Sequence, residues 1–451
     1  MKILILGAGQ TGFGIAQYLK DNDIDVTLIE RSRETALAVR NKSNLDVVIG
    51  NATDAEVLKS ADIENADRVI ATMSSDEQNL VACKIISALF NVPTKIARVK
   101  SPAFLRGEVF DILLKDSFDV DVLLQPELEI SSLIADIIQT NGALDVINSE
   151  NVAVVKLRCR SGTEIINTTF KHFQEITDLN LFVINVTRQG RTFFPSSSDI
   201  LLPDDDIYLI TTPKQLNAIM TLFGYPQQEK HKLLIIGSGN IGTALLYKLI
   251  EEKPNYEITV LENSIERAEK IALNFPNANV VHGDALKHSV LKELALKTDT
   301  AAVLTDKDST NVIAAQLLKQ LGVNRVLALT KTNDYKSLLS EDSGCFGVNA
   351  HEITIQAITQ KLSSGKTVSI TELRDKTSNI VQATVTESCP SLGNTIESIK
   401  VRNRIMPAFI IREGNLIFAR GHHILELNDE LILSVITEDL PKIKKMFPQH
   451  V

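Results

Sequence analysis

The stretch KILILGAGQTGFGIAQYL, residues 2–19, decides the fold, and it returns as KLLIIGSGNIGTALLYKL at residues 232–249. In each copy a short apolar run, typical of a buried strand, leads into three glycines spaced GxGxxG and then into a helical pattern. The glycines are Gly7, Gly9 and Gly12 in the first copy and Gly237, Gly239 and Gly242 in the second. This order of strand, glycine turn and helix predicts the start of a βαβ unit whose turn can hold a pyrophosphate.

Short β-branched runs alternate with helical stretches from residue 2 to residue 124, as in a parallel sheet that is covered on both faces. The predicted strands are KILIL, DVTLIE, DVVIG, RVIATM, TKIARV and DVDVLL, with a short helix over Pro102–Phe110. Together they predict a doubly wound, Rossmann-type domain. The amphipathic stretch PELEISSLIADIIQTNG from Pro126, called the exit helix below, then leads out of this domain.

The exit helix carries an apolar stripe, which comprises Leu128, Leu133, Ile134, Ile137 and Ile138. These residues fall on one side at helical spacing. The stripe predicts a contact surface in a homo-oligomer, with packing against its own domain as the alternative.

A smaller α+β pattern follows the exit helix, and the whole order then repeats. EITVLE matches DVTLIE, VVHGDA matches VVIGNA, and STNVIAAQLL matches EQNLVACKII. The small pattern includes a hairpin turn at Gln189 and Gly190, which Glu413 and Gly414 repeat. We therefore predict an α/β chain with two Rossmann-type doubly wound parallel-sheet domains, 1–140 and 231–365, each followed by a small α+β subdomain, 141–225 and 366–451.

Composition narrows the possible functions. The 451 residues include 47 Lys and Arg against 56 Asp and Glu, and this net charge of -9 argues against nucleic acid as the main partner. The four cysteines are far apart and predict small buried side chains in a reducing cytosol. Because the sequence has no apolar run long enough to span a membrane, we predict a cytoplasmic protein that reaches a membrane only through a partner.

An acid ends the second predicted strand of each copy, about 20 residues after the glycine turn: Glu30 in the first and Glu262 in the second. A carboxylate at this position accepts hydrogen bonds from ribose hydroxyls and repels a 2′-phosphate. The pattern therefore favours NAD or an adenosine nucleotide over NADP. Asn51 and Asp284 lie in matching turns after the third strand, where they either contact adenine or ribose or serve as plain turn residues.

The sequence offers no catalytic constellation beside the predicted nucleotide sites. No histidine recurs at an equivalent place in both copies, and GxSxG, HExxH and Walker A motifs are absent. We therefore predict no catalytic residues, no metal site and no enzymatic activity. The alternatives are an NAD-dependent dehydrogenase of unknown substrate, which a turnover assay would detect, and a scaffold with vestigial glycine turns, which would bind no nucleotide in calorimetry.

The succession of glycine turn, acid-ended strand, VVIGNATD, DEQN, IARV, exit helix and small α+β unit, twice over, resembles the RCK (also called KTN) regulatory domains of potassium transport. The resemblance covers essentially the whole chain. It implies that the first part of each module binds NAD(H), with ATP/ADP as the alternative nucleotide. It also implies that the small α+β units are RCK C-terminal subdomains.

The resemblance assigns further residues to the nucleotide by position. In the first copy they are Ala8, Gln10, Asn51, Ala52, Thr72, Ser74 and Arg98, with Arg98 reaching the phosphates. In the second copy they are Ser238, Asn240, Asp284 and Thr305. In RVLALTK, the matching stretch of the second copy, no arginine stands at the position of Arg98, and Lys331 is the candidate point charge there.

The resemblance also implies the partners. A membrane potassium channel or transporter subunit of the Trk type is expected, with this chain on the cytoplasmic face of the membrane as a peripheral regulatory subunit. The chain is expected to form a homo-oligomer, a tetramer, in which two modules per chain give a ring of eight. Nucleotide exchange would then shift the ring between two arrangements. The size of the shift depends on how much more tightly the nucleotide binds one arrangement than the other.

Overall fold

The computed structural model of the protein describes most of the chain and divides it into two compact units. The described residues are 1–21, 23–100, 117–149, 151–172, 179–227, 230–252, 256–332, 334–335, 338–339, 344–363, 368–373, 377–401 and 404–448. One unit comprises Met1–Ser132 with Lys232–Lys361, and the other Leu133–His231 with Leu362–Val451. Each unit thus combines corresponding parts of the two copies. The helix predicted over Pro102–Phe110 lies outside the described residues.

The first copy contains eleven described strands and six described α-helices. The strands are β1 Lys2–Leu6, β2 Asp25–Glu30, β3 Asp46–Ile49, β4 Arg68–Ala71, β5 Thr94–Arg98, β6 Val122–Leu124, β7 Ala143–Asn148, β8 Ala153–Arg158, β9 Leu181–Arg188, β10 Arg191–Phe193 and β11 Asp206–Thr211. The helices are α1 Gln10–Asp21, α2 Arg33–Lys42, α3 Ala55–Ser60, α4 Asp76–Leu89, α5 Pro126–Gln139 and α6 Leu216–Leu222.

The second copy repeats this order. Its described strands are β12 His231–Ile236, β13 Tyr256–Glu262, β14 Asn279–His282, β15 Thr300–Val303, β16 Arg325–Thr330, β17 Cys345–Asn349, β18 Val368–Glu372, β19 Ser378–Thr384, β20 Ile405–Arg412, β21 Asn415–Phe418 and β22 Glu430–Ile436. Its described α-helices are α7 Asn240–Glu252, α8 Ile265–Asn274, α9 His288–Ala295, α10 Asp308–Gln320, α11 Ala350–Ser363, α12 Ile396–Ile399 and α13 Leu440–Met446.

The first unit contains two parallel sheets of the same topology, which confirms the two predicted Rossmann-type domains. Their strand orders are β3-β2-β1-β4-β5-β6 and β14-β13-β12-β15-β16-β17. The order reverses beside β1 and β12, and ligands of such sheets bind in the crevice at this reversal. The glycine turns follow these two strands directly. Burial explains the continuous apolar runs, since Ile3, Leu4, Ile5 and Leu6 of β1 are all fully buried.

The second unit contains two five-stranded antiparallel sheets, ordered β10-β9-β11-β8-β7 and β18-β19-β22-β20-β21. The predicted hairpin turns are confirmed. Gln189 and Gly190 have φ of 49° and 76°, and Glu413 and Gly414 have φ of 51° and 77°. Two successive residues with positive φ form the tight turn whose twist matches that of the flanking strands.

The strands β7 and β18 are absent from the sequence prediction. In β7 the stretch ALDVIN includes Asp145, which is only 2% exposed and interrupts the apolar pattern. Its carboxylate accepts a hydrogen bond from the hydroxyl of Tyr208 at 3.1 Å, so burial leaves the acid satisfied. A strand that contains a buried acid lacks the apolar pattern from which strands are predicted, so β7 was not predicted.

The apolar stripe of the exit helix α5 is largely covered within the single chain. Ile134, Ile137 and Ile138 are at most 3% exposed. The stripe therefore packs within its own chain, and the expectation that it forms the oligomer surface is not met for these residues. Among the described residues, no helix is both long and apolar enough to cross a membrane.

The four cysteines are buried and form no disulfide, as the sequence predicts. Burial raises the pKa of Cys83 to about 12, so its thiol stays protonated and packs as a small apolar side chain.

Candidate functional site

The glycine turn of the first copy separates into two structural glycines and one that is open. Gly7 has φ +99°, a conformation that favours glycine, and a Cβ on Gly12 would lie 1.9 Å from the carbonyl oxygen of Gly7. By contrast, a Cβ on Gly9 would meet nothing within 4 Å. Protein packing therefore accounts for Gly7 and Gly12, whereas Gly9 leaves the start of α1 open to a ligand.

The second copy repeats this division. Gly237 has φ +94°, a Cβ on Gly242 would lie 2.1 Å from the carbonyl oxygen of Gly237, and a Cβ on Gly239 would meet nothing within 4 Å. A glycine thus directly precedes each of α1 and α7 and offers no side chain to cap the helix amides. Such amides, with the positive end of the helix dipole, favour an anion.

Glu30 closes the first glycine turn from the end of β2. Its Oε2 accepts a hydrogen bond from the Ala8 amide at 2.8 Å and its Oε1 accepts one from the Ser32 amide at 2.8 Å. Each carboxylate oxygen can accept a second hydrogen bond, and the side chain lines a cleft. Glu30 can therefore hold the turn and still accept hydrogen bonds from a ligand's hydroxyl groups.

Glu262, the matching acid of the second copy, is more fully engaged. It is 3% exposed, and its Oε2 accepts hydrogen bonds from the Ser238 amide at 2.7 Å and from the Ser238 hydroxyl at 2.8 Å. Its Oε1 accepts one from the Ser264 amide at 2.9 Å and lies 3.1 Å from the Arg267 guanidinium. Burial pushes the pKa of Glu262 upward, but these hydrogen bonds and Arg267 outweigh it, and the pKa is lowered.

The first cleft has a volume of about 630 Å³ and contains most of the residues predicted for the first site. Those that line it are Gly7, Gly9, Gln10, Glu30, Asn51, Ala52, Thr72, Ser74 and Arg98. Ala8 and Gly12 do not line it: Ala8 contributes its amide to Glu30, and Gly12 packs against Gly7. Both residues act on the shape of the turn instead of facing the cleft.

The second cleft is smaller, about 360 Å³, and is lined only by residues of the second copy. Of the predicted residues, Gly237, Gly239, Glu262, Asp284 and Thr305 line it, whereas Ser238, Asn240 and Gly242 do not. Arg267 and Lys307, which the sequence analysis did not single out, also line this cleft.

A buried asparagine fixes the end of the fourth strand in each copy, and the sequence analysis missed it. Asn79 is fully buried; its Oδ1 accepts from the Met73 amide at 2.8 Å, and its Nδ2 donates to the carbonyl of Arg98 at 2.8 Å. Asn311 makes the same contacts with Thr305 and Leu329, each at 2.9 Å. The signal was present, because these asparagines coincide in EQNLVACKII and STNVIAAQLL.

We expect Asn79→Ala to lower the free energy of unfolding by about 3 kcal/mol, because it leaves several buried backbone groups without a partner. Urea unfolding measures the change. Gln78→Ala, at an exposed neighbour on the same helix, is the control and should cost less than about 0.5 kcal/mol. Equal stability of the two variants would contradict the role given to Asn79.

Arg98 reaches the glycine turn from the end of β5. Its Nη1 donates to Thr11 Oγ1 at 3.0 Å, which puts the guanidinium beside the first turn of α1. Its Nη2 lies 3.4 Å from Glu127 Oε1, in the first turn of α5, and both side chains are 16% exposed. Burial raises the pKa of Glu127, and Arg98 only partly offsets this effect.

Residues of the second copy complete the first cleft. Ile241, Leu329, Lys331 and His351 line it together with Arg98. A Cβ on Gly14 of α1 would lie 2.0 Å from Nε2 of His351, so the two copies are in close contact here. Burial lowers the pKa of His351, which favours the neutral imidazole. His351 was not predicted as a cleft residue, because no motif within the first copy indicates a residue that comes from the second copy.

Lys331 does not take the place of Arg98 in the second copy. Asn79 donates to the carbonyl of Arg98, and Asn311 donates to that of Leu329, so Leu329 is the structural match of Arg98. The ammonium of Lys331 donates to the carbonyl of Asp306 at 2.7 Å, as that of Lys100 donates to the carbonyl of Ser74 at 3.0 Å. The second cleft therefore has no guanidinium that corresponds to that of Arg98, and its arginine, Arg267, comes from a different position.

Among the described residues, no group of three or more His, Cys, Asp or Glu side chains is arranged to hold a metal ion.

Comparison with known proteins gives one consistent family. The TrkA-N domain matches residues 3–126 and 233–350, and the TrkA-C domain matches residues 154–224 and 380–447. The Trk system potassium uptake protein TrkA of Azorhizobium caulinodans is 28% identical over 451 residues, 99% of this chain and 98% of that protein. The protein of the same name from Vibrio alginolyticus is 27% identical over 445 residues, 97% of this chain and 96% of that protein.

Solved structures agree on the fold. The crystal structure of the GsuK RCK domain superimposes with a TM-score of 0.62 at 21% identity and covers 99% of this chain and 94% of that chain. The GsuK channel bound to NAD gives a TM-score of 0.62 at 21% identity and covers 99% of this chain and 78% of that chain. The predicted fold class, with two Rossmann-type domains and two small α+β subdomains, is confirmed.

Proposed function

The chain belongs to the family of proteins built from TrkA-N and TrkA-C domains, and on this premise we propose that it is a nucleotide-sensing regulatory subunit of a membrane potassium transporter. In this proposal the first cleft binds NAD(H), or ATP/ADP as the alternative nucleotide. Binding regulates potassium uptake by the transporter, and the chain itself catalyses no reaction.

The observation that carries the proposal is the open position at Gly9. A Cβ there would meet nothing within 4 Å, yet the position is a glycine, and the amides that follow it belong to Gln10 and Thr11, which line the first cleft with Gly9. A phosphate seated on these amides would explain why no side chain stands there. Glu30 would then accept hydrogen bonds from the ribose, and Arg98 with Lys100 would offset the phosphate charge.

Three of the similar proteins support the regulatory role. The curated relatives carry the name Trk system potassium uptake protein, and one superimposed structure is a channel bound to NAD. We propose accordingly that the chain assembles as a homotetramer on the cytoplasmic face of a membrane potassium channel or transporter subunit of the Trk type. A dehydrogenase is the alternative function, and NADH turnover with candidate substrates would reveal it.

The function is tested by potassium flux into proteoliposomes that contain a Trk-type channel subunit, with and without this protein. We expect the protein to make flux depend on added NADH or ATP. Flux that ignores both nucleotides, together with no binding of either in calorimetry, would remove the proposal.

Glu30→Ala tests the assignment of the ribose position. We expect the variant to bind NADH more weakly by about 1 to 3 kcal/mol, the cost of losing a charged hydrogen-bond acceptor, and to discriminate less between NADH and NADPH. Titration calorimetry with both dinucleotides measures this. Thermal unfolding is the control, since the carboxylate also holds the Ala8 and Ser32 amides. Equal affinity of the unmodified protein for NADH and NADPH would contradict the assignment.

A further inference from the structure

The ion pair between Arg98 and Glu127 lies where the nucleotide phosphates would meet the first copy. Arg98 is anchored to Thr11 at the beginning of α1, two residues after Gly9, and all three line the first cleft. A phosphate bound at the first turn of α1 would therefore lie beside the guanidinium of Arg98. Glu127, in the first turn of α5, holds the same guanidinium in the structure.

This ion pair is incomplete. It consists of one contact of 3.4 Å between Arg98 Nη2 and Glu127 Oε1, instead of the two parallel hydrogen bonds that an arginine and a carboxylate can form. The Nε of Arg98 and the Oε2 of Glu127 are buried and have no hydrogen-bond partner among the residues that the structure describes. A half-satisfied buried pair is costly, so a better anion can displace Glu127 from Arg98.

The second copy lacks this device. Leu329 stands at the position of Arg98, and Ile241 stands at the position of Thr11, two residues after Gly239. Both apolar residues line the first cleft, as does the polar group formed by Thr11, Arg98 and Glu127. The polar group therefore serves the ligand of the first cleft and has no counterpart for the second.

We propose that the carboxylate of Glu127 is a built-in competitor of the nucleotide phosphates for Arg98 and thereby sets the affinity of the first cleft. The inference rests on the proposed function and adds a regulator of that site. A phosphate that takes Arg98 releases Glu127, which lies in the first turn of the exit helix α5. Nucleotide binding is thus linked to the beginning of the helix that leads out of the nucleotide domain.

Glu127→Gln removes the competing charge while keeping the shape of the side chain. We expect the variant to bind ATP and NADH roughly tenfold more tightly, because the unpaired guanidinium is left free for phosphate. Binding of adenosine, which has no phosphate, should change less than about twofold. A purely structural role of Glu127 would not separate ligands by their phosphate content. Titration calorimetry on the full chain measures all three ligands.

A double-mutant cycle with Arg98→Leu makes the test specific. This substitution introduces the residue type that the second copy has at the same position, Leu329. Once Arg98 is replaced, Glu127→Gln should no longer tighten binding of ATP or NADH, because the guanidinium for which Glu127 and the phosphates compete is absent. Glu34→Gln, an exposed acid in the first turn of α2, is the matched control for loss of one negative charge and should bind like the unmodified protein.

Amide hydrogen exchange supplies a second readout. In the unmodified protein, saturating ATP should speed exchange in the first turn of α5, since Glu127 loses its partner; in Glu127→Gln exchange there should be fast without ATP.

The outcomes are distinguishable. If the unmodified protein binds neither NADH nor ATP, the proposed function fails and the inference fails with it. If both bind but Glu127→Gln has unchanged affinity, only the inference fails. Weaker binding of ATP by Glu127→Gln, seen only with Mg²⁺ present, would also overturn it, because Glu127 would then hold a cation on the phosphates instead of competing with them.

Discussion

Replacing Gly9 with aspartate is expected to abolish nucleotide binding at the first cleft while leaving the protein as stable as before. The new side chain has room, since a Cβ at this position meets nothing within 4 Å. Gly9 also does not have the positive φ that makes Gly7 hard to replace. The substitution therefore acts on the ligand and spares the fold.

The expected loss has a specific cause. The amide of Phe13 donates to the carbonyl of Gly9 at 2.9 Å, so Gly9 is the capping residue of α1. An aspartate there can accept hydrogen bonds from the free amides of the first turn and interacts favourably with the helix dipole. The carboxylate would then occupy the place of the phosphate and repel it. We expect affinity for NADH and ATP to fall at least about 100-fold, or about 2.7 kcal/mol.

Calorimetry and thermal unfolding of the same variant separate the two effects. Affinity should collapse while the melting temperature stays equal or rises slightly. Gly239→Asp is the matched control, because Gly239 is equally open and belongs to the second cleft. It should leave the first cleft unchanged. If Gly9→Asp binds no nucleotide at the first cleft but potassium flux still responds to nucleotide, the sensor is the second cleft.

The two clefts differ in chemistry although they share a fold. The first has Arg98, a partly free Glu30 and walls from both copies, whereas the second has no residue at the place of Arg98 and has a saturated Glu262. Arg267 also lines the second cleft while holding Glu262. A ligand must displace these contacts to reach the Glu262 carboxylate, so we infer that the first cleft is the principal nucleotide site.

Local sequence pattern was enough to predict the fold because the chain repeats strong local signals. The four apolar residues of KILIL are fully buried in β1, and the predicted turn at Gln189 and Gly190 has positive φ at both residues. The strand β7 was not predicted, because its buried residue Asp145, which is hydrogen-bonded to Tyr208, interrupts the apolar pattern. Tertiary contact satisfied a residue whose type alone argued for exposure.

The glycine turns and their acids could be predicted because spacing along one strand and helix defines them. The partners of Arg98 could not, because Thr11 is 87 residues and Glu127 is 29 residues away in the sequence. His351 enters the first cleft from the other copy, and no motif within one copy signals that. The saturation of Glu262 follows from Ser238, which replaces Ala8 of the first copy and adds a hydroxyl donor.

Gly12, the third glycine of the turn, provides the sharpest test of whether protein packing and ligand binding explain different glycines of the turn. Gly12→Ala is expected to destabilise the first domain by on the order of 3 kcal/mol, because its Cβ would lie 1.9 Å from the carbonyl oxygen of Gly7. It would also lie 2.7 Å from the hydroxyl oxygen of Thr72, so α1 must move away from β1 and β4.

Urea unfolding of Gly12→Ala beside Gly9→Ala isolates this effect, since both changes add one methyl group within the same turn. Gly9→Ala should change the free energy of unfolding by less than about 0.5 kcal/mol. A Gly12→Ala protein as stable as Gly9→Ala would show that α1 does not need its close approach to β1. In that case the third glycine, like the second, would have to be explained by the ligand, and the division of the turn into structural and open glycines would be wrong.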